Sequence, residues 1–373
     1  MRRRFDRPLA VVLGLLMAPV FAPGWAAAAD APAVDHAAVN RALVEKHAVP
    51  RYDALVAATG ALDEAAEGFC EAPDAAGLAA LKQDFAATMG AWQDVQHLRF
   101  GPAEFLMRAY RFEYWPDARN SVGHELDDLL KARDPAALEP HTFARTSVAV
   151  QGLPSLERLL YDDGQAFLAA DADAAYRCAV LEAITGNLGA MAGELREAWM
   201  GAAAERILLA GQPGSAYQSA AEGSVPFLKS LLGALQTVAD QKLAGPLGAS
   251  LDTARPRAAE SWRSGLSMDN IRRNLLAAKA LYFGDAGGPG FADLLRAQPD
   301  QEKTADLFER AFAQTLATAQ SVDLPLAAAV EDAAERKKLE KLLREVSAVR
   351  LLLTQRLSPA IGVPVGFNAA DGD

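Results

Sequence analysis

Two stretches of the sequence combine residue types that can bind a ligand or a metal ion. The first begins at Trp92 and places Asp94 and His97 three positions apart, on one face of a helix. Such a pair holds a cation or forms a carboxylate–imidazole hydrogen bond. A polar seam inside a helical bundle explains the stretch equally well, and both interpretations stay open. The candidate ligand-binding residues of this stretch are His97, Arg99, Tyr114, Trp115, Asp117 and Arg119.

The second stretch runs from Gln151 to Asp162 and has the pattern of a helix start. Pro154 suits the first turn of a helix, and leucines at 156, 159 and 160 would form its buried face. Glu157 lies near that start, where a carboxylate is stabilised by about 0.3–1 kcal/mol. Helix position is therefore a sufficient structural explanation for Glu157. In the first stretch, Asp117 follows Trp115-Pro116 and is expected to cap the next helical turn.

Several familiar catalytic signatures are absent from the sequence. It contains no Gly-Lys-Ser/Thr phosphate loop, no Gly-x-Ser-x-Gly elbow, no Cys-x-x-Cys and no His-Glu-x-x-His. The histidines are scattered, so a metal site would have to be assembled in three dimensions. Gly123-His124-Glu125 is interpreted as a surface helix start. The excess of 48 acidic over 37 basic residues argues against nucleic-acid binding, which needs clustered Lys and Arg.

The elements that must position these residues are helices. Hydrophobic residues make up 51% of the chain, but most are Ala and Leu, and aromatic residues are only 7%, which disfavours a large sheet. Apolar residues recur at spacings of three and four, as a helix buried on one side requires. The sequence therefore predicts an all-α fold. Three such stripes are Leu78–Trp92, Leu181–Trp199 and Leu339–Leu353.

Gly and Pro clusters mark the helix ends and one larger boundary. The break at Gly211-Gln212-Pro213-Gly214 separates two halves, each long enough for four or five antiparallel helices. We therefore predict two helical bundles, at residues 30–211 and 212–373. The Trp92…Phe100-Gly101 and Trp262…Phe283-Gly284 stretches resemble each other faintly, which suggests a duplication.

Residues 1–29 are predicted to be a cleavable signal peptide. Arginines at positions 2, 3, 4 and 7 precede an apolar run that is too short to span a membrane, and small residues lead to Ala29. The mature chain would then begin at Asp30, lack a transmembrane helix and reside in the periplasm. Its formal charge changes from −11 to −14, because the segment removes four Arg and one Asp.

The only two cysteines, Cys70 and Cys178, both lie in the predicted mature chain. In an oxidising compartment an even pair favours a disulfide. Closing so long a loop would contribute about 4–5 kcal/mol in the chain-entropy model. Two buried free thiols are the alternative.

Several motifs together resemble the imelysin family of exported bacterial proteins, which is linked to iron acquisition and was once described as metallopeptidases. The resemblance covers essentially the whole mature chain and implies two helical bundles in a duplicated four-helix-bundle architecture. It rests on Gln96–Pro102, Tyr114–Asp117, Gln151–Leu160 and the ending Gly366–Asp373.

The family's motif is Gly-x-His-x-x-Glu, which is proposed to bind metal. Gly152 and Glu157 match its ends and become candidate ligand-binding residues by this resemblance, with Glu157 and His97 as the candidate metal ligands. The His position, however, holds Pro154, which has neither an imidazole nitrogen nor a backbone donor. The inference of a metal centre is therefore weakened.

Three functions are compatible with this sequence. The first is a non-enzymatic exported protein that binds a small ligand, iron or another divalent or trivalent metal, and assists an envelope iron-transport partner. The second is a metallopeptidase, which would need three protein ligands to zinc and a general base. The third is an envelope scaffold that binds a partner protein.

Overall fold

The computed structural model describes residues 35–169 and 171–363 and confirms the all-α prediction: these residues form helices and no strand. The predicted signal peptide (1–29) and the Gly366–Asp373 ending lie outside the described residues. No helix in the described part is long and apolar enough to cross a membrane. The helices are α1 His36–Ala42, α2 Val49–Glu71, α3 Ala75–Val95, α4 Arg108–Phe112, α5 Ser121–Ala132, α6 Pro140–Phe143, α7 Leu153–Tyr161, α8 Ala172–Met200, α9 Ala202–Leu208, α10 Ala220–Gln236, α11 Ala244–Leu247, α12 Ser267–Phe283, α13 Phe291–Arg296, α14 Glu302–Gln320, α15 Leu326–Ala329, α16 Ala333–Leu352 and α17 Ser358–Ala360.

Shorter segments join or extend these helices. Three π-helical segments continue α1, α10 and α16 without a break, at Leu43–Ala48, Thr237–Leu243 and Leu353–Leu357. The 3₁₀ turns are Gly101–Ala103, Phe105–Met107, Pro135–Leu138, Gly164–Ala169, Leu251–Thr253 and Pro256–Ala258.

The apolar stripes seen in the sequence form the core. Leu78, Leu81, Phe85, Met89 and Trp92 are all buried along α3, as their spacing predicts. Helix α2 packs against α3 and α8, and α14 packs against α16. The predicted disulfide is present and joins Cys70 of α2 to Cys178 of α8.

Helices from before and after residue 211 contact each other directly. Helix α3 packs against α12, and α1 packs against α10. The C-terminal end of α3 lies just before His97. It therefore contacts residues that come about 150 to 180 positions later in the sequence. The division at residue 211 into two bundles stays a prediction.

Candidate functional site

A buried polar cluster lies where α3 meets α12. Its centre is Lys242, whose side chain is only 1% exposed. The ammonium nitrogen lies 2.8 and 2.7 Å from the two carboxylate oxygens of Glu260, which is 2% exposed. Lys242 also donates to the side-chain oxygens of Gln93 at 2.6 Å and Asn274 at 2.7 Å. The lysine charge is therefore paired and fully hydrogen-bonded, as a buried charge must be.

Glu113 is the second carboxylate of this cluster. It is 1% exposed and accepts hydrogen bonds from the indole of Trp92, at 2.7 Å, and from the amide of Gln96. Burial, and then the negative charge of Glu260, raise the pKa of Glu113 to about 8, against the opposing charge of Lys242. At neutral pH Glu113 therefore keeps its proton, and the neutral acid donates to Glu260.

Glu260 has the opposite protonation state. Burial alone would raise its pKa, but the charge and hydrogen bond of Lys242 outweigh burial, so the pKa of Glu260 is lowered. The amide of Asn270 adds a hydrogen bond of 2.8 Å. The central carboxylate cluster, which we define as Glu113, Lys242 and Glu260, thus holds one proton and one ion pair away from water.

Sequence reasoning did not identify the central carboxylate cluster. One signal was present: Lys242 follows Val238 by four residues and Ala239 by three, so it occupies an apolar position of a helical stripe. A lysine at such a position needs a buried counter-charge. The partner itself was not visible, because Glu260 follows after two 3₁₀ turns and a loop.

His97 lies just beyond α3, next to the central carboxylate cluster. It is 7% exposed, and its Nε2 atom lies 2.8 Å from Nε2 of His47, which is fully buried. Nδ1 of His47 lies 3.4 Å from a carboxylate oxygen of Asp285, and Asp285 is paired with Arg51. We call His47, His97, Asp285 and Arg51 the histidine cluster.

Burial keeps both imidazoles of the histidine cluster neutral. Desolvation lowers the pKa of His47 to about 4, although the hydrogen bond with Asp285 opposes it. The pKa of His97 is lowered well below its usual value by burial and by its neighbours His47 and Arg51. The hydrogen bond with His47 and the pairing with Arg51 hold the pKa of Asp285 well below its usual range.

The pairing of Asp94 with His97 suggested by their spacing does not form. Asp94 makes an ion pair of 2.7 Å with Arg273 of α12, while His97 bonds to His47. Helix α3 ends at Val95, so His97 no longer follows the helical repeat that would align the two side chains.

Glu157 occupies a separate position on α7. It is 5% exposed, and one carboxylate oxygen accepts two bonds from Ser264, from the backbone nitrogen at 2.8 Å and the hydroxyl at 2.7 Å. Burial raises the pKa of Glu157, and the two bonds from Ser264 oppose that rise. Pro154 lies in the first turn of α7, as predicted. Glu157 therefore ties α7 to the segment before α12.

Gly152 caps α7 for a steric reason. A β-carbon at this position would lie 2.3 Å from the carbonyl oxygens of Arg111 and Phe112. The start of α7 therefore presses directly on α4, which only glycine permits. This close approach accounts for Gly152 without a ligand.

The remaining candidates lie on or near the surface. Asp117 caps α5 as expected: its carboxylate accepts from the backbone nitrogens of Ser121 and Val122 at 2.8 and 2.9 Å. Arg99 and Arg119 are exposed, whereas Tyr114 and Trp115 are half-buried. His124 is exposed on α5, in agreement with a surface helix start.

The two candidate metal ligands take different partners. His97 bonds to His47, and Glu157 bonds to Ser264. Within residues 35–169 and 171–363, no group of three or more His, Cys, Asp or Glu residues is arranged to hold a metal ion. The side chains of these residues therefore do not fit a metal centre built on the Gly-x-His-x-x-Glu pattern.

Together these features define an all-helical protein with two buried polar clusters, where helices distant in sequence meet. The chain belongs to the imelysin family, whose model matches residues 48–353. It is 25% identical over 242 residues to iron-regulated protein A of Synechococcus elongatus, an alignment that covers 65% of this chain and 62% of that relative's length.

Two solved structures share the fold. An imelysin-like protein from Psychrobacter arcticum superimposes with a TM-score of 0.73 at 23% identity, covering 89% of this chain and 97% of that one. A putative iron-regulated protein A precursor from Parabacteroides distasonis gives a TM-score of 0.71 at 15% identity, covering 87% and 96%. The all-α architecture is thus that of imelysin-like proteins.

Proposed function

We propose that this protein is an exported, non-catalytic accessory of bacterial iron acquisition that binds an anionic iron species. The relative from Synechococcus elongatus, named an iron-regulated protein, supports the connection to iron. The signal peptide predicted at residues 1–29 supports a periplasmic location for the mature protein. There it would deliver its ligand to an envelope iron-transport partner.

The observation that carries the proposal is that the candidate metal ligands already form hydrogen bonds with other side chains. Glu157 takes two bonds from Ser264, His97 takes one from His47, and Pro154 replaces the histidine of the motif. A hydrolytic zinc ion needs three protein ligands and an open position for water. These residues supply neither, so a peptidase centre at this motif is disfavoured.

The accessible candidates indicate the charge of the ligand. Arg119 is exposed and Trp115 half-buried on the loop between α4 and α5. Guanidinium groups bind carboxylates and phosphates in preference to bare cations. An iron ion carried by a carboxylate chelator therefore fits these residues better than a free metal ion.

A titration tests the proposal. The protein without residues 1–29 is titrated with ferric citrate, with citrate alone and with Fe²⁺, by calorimetry. We expect ferric citrate to bind, and the double variant Arg119→Ala, Trp115→Ala to bind about tenfold more weakly, as for the loss of one charged contact. Lys337→Ala, which removes an exposed cation from α16, is the matched control and keeps full affinity.

A protease assay completes the test. We expect no cleavage of unfolded casein, with or without zinc. Cleavage that a chelator abolishes and that Glu157→Gln lacks would identify a metallopeptidase instead. Absence of ferric citrate binding by the wild-type protein would also overturn the proposal.

A further inference from the structure

One short segment exposes large apolar side chains together. Phe105 and Leu106 are 61% exposed, Met107 is 53% and Tyr110 is 45%. Elsewhere in the described residues the exposed large apolar side chains stand far apart in sequence, and isolated ones are ordinary on protein surfaces. We call Phe105, Leu106, Met107 and Tyr110 the apolar tip.

The backbone holds the apolar tip outward. Leu106 and Met107 have φ angles of 53° and 55°, in the left-handed region that non-glycine residues rarely adopt. Below the tip, Ala103 and Ala109 are buried, and Phe112 stacks on Trp92 with ring centres 4.7 Å apart. A rigid base therefore presents apolar side chains that the fold does not cover.

The surroundings of the tip are cationic, although the chain as a whole is acidic. Residues 99–111 contain three arginines and one acid, Glu104, in a chain of net charge −11. Arg108 is paired with Glu194. Arg99 lies 5.6 Å from the ring centre of Tyr110, and Arg111 bonds only to neutral amide oxygens. Within the described residues, neither Arg99 nor Arg111 forms an ion pair, so both charges remain for an anionic partner.

We propose that the apolar tip docks the protein on an anionic phospholipid bilayer. Phe105, Leu106 and Met107 would enter the boundary between headgroups and acyl chains, while Tyr110 remains at headgroup depth. Arg99 and Arg111 would face the phosphates. Exposed apolar side chains flanked by cationic ones match the apolar interior and anionic headgroups of such a bilayer, and the acidic remainder of the molecule is repelled from the same surface, which fixes the orientation.

Vesicle sedimentation tests this inference with the protein lacking residues 1–29. We expect binding to phosphatidylcholine vesicles that contain phosphatidylglycerol, and about thirtyfold weaker binding to pure phosphatidylcholine, since Arg99 and Arg111 both lose their attraction to the anionic headgroups. The variant Leu106→Ser, Met107→Ser should bind the charged vesicles at least about tenfold more weakly. Arg99→Gln should reduce the preference for the anionic lipid. Leu351→Ser, equally exposed at 53% on α16, is the matched control and binds like wild type.

Three results would overturn the proposal: no vesicle binding by the wild type, equal binding by the tip variant, or an equal loss in Leu351→Ser. A wild-type dimer that the tip variant converts to a monomer without lipid would identify a second copy of the chain as the occupant. The tip variant should keep its thermal midpoint and its ferric citrate titration, which separates this inference from the proposed function.

Discussion

The Nε2 atoms of His47 and His97 lie 2.8 Å apart in a part of the interior that water does not reach. One hydrogen fits between them, so one ring donates and the other accepts. Because Nδ1 of His47 faces Asp285, that nitrogen carries its proton, and His97 is the donor toward His47. This pair can stay buried only while both rings are neutral, because a second hydrogen between them would remove the bond and leave a buried positive charge.

The first prediction concerns acid stability. The pKa of His47 has its ordinary value of 6.5 in the unfolded protein, whereas burial lowers this pKa to about 4 in the folded protein. The unfolded state thus holds more protons between these values, so the free energy of unfolding is retained above pH 6.5 and falls as the pH drops toward 4. We expect His47 alone to lower the free energy of unfolding by about 3 kcal/mol over this range. Urea unfolding between pH 7 and pH 4 measures it.

The control for the acid experiment uses a paired substitution. His47→Gln should reduce the pH dependence, since glutamine stays neutral over this range, while the buried His97 retains its own part. His124→Gln, which removes an exposed histidine, should retain the wild-type slope. A wild-type slope in His47→Gln would show that another group carries the acid sensitivity.

The second prediction distinguishes the two buried glutamates. Glu113 is neutral at pH 7, so Glu113→Gln keeps its shape and its donor and should change the free energy of unfolding by less than about 1.5 kcal/mol. Glu260 carries the counter-charge of Lys242, so Glu260→Gln leaves a buried ammonium unpaired and should cost about 3–5 kcal/mol. Urea unfolding of both variants at pH 7 compares these values, and equal losses would contradict the assigned protonation states.

The third prediction follows the pH dependence of Glu113. Its pKa is about 8 in the folded protein, compared with an ordinary 4.5. Between these values the folded state holds the additional proton, so this group's contribution to stability declines as the pH rises. Glu113→Gln should therefore become more stable relative to wild type from pH 6 to pH 8.5, as measured by thermal unfolding. A constant difference between variant and wild type over this range would show that Glu113 is ionised in the fold.

The fourth prediction concerns Gly152. Gly152→Ala places a β-carbon against the carbonyl oxygens of Arg111 and Phe112 and should destabilise the protein by about 1–3 kcal/mol. Gly189→Ala is the matched control, because α8 leaves open space around that position, and it should stabilise by up to about 1 kcal/mol. Chemical unfolding of both variants measures these changes. An unchanged free energy of unfolding in Gly152→Ala would contradict the close contact between α4 and the start of α7.

The fifth prediction concerns the disulfide between α2 and α8. Cys70 and Cys178 are 108 positions apart, so the bond restricts a long loop of the unfolded chain. Replacing both by Ala should lower the free energy of unfolding by about 4–5 kcal/mol. Reduction of the wild-type protein should lower its thermal midpoint similarly, while the double variant should not respond to the reductant.

The local features of this protein were determined by its sequence alone. The helices follow from spacings of three and four in the apolar residues, and the cap at Asp117 follows from a polar residue just before a helix. The single cysteine pair and the missing histidine at Pro154 were also evident from residue identity. Each of these properties depends on residues close together in the chain, on the identity of one residue, or on the fact that two cysteines allow only one pairing.

Only the tertiary structure decided which buried polar groups meet. Asp94 pairs with Arg273, His97 with His47, and Lys242 with Glu260. A helical repeat specifies which face is buried but carries no information about the helix that covers it or about the register between them. The protonation of Glu113 and the lowered pKa of His47 depend on that packing, because both arise first from the exclusion of water.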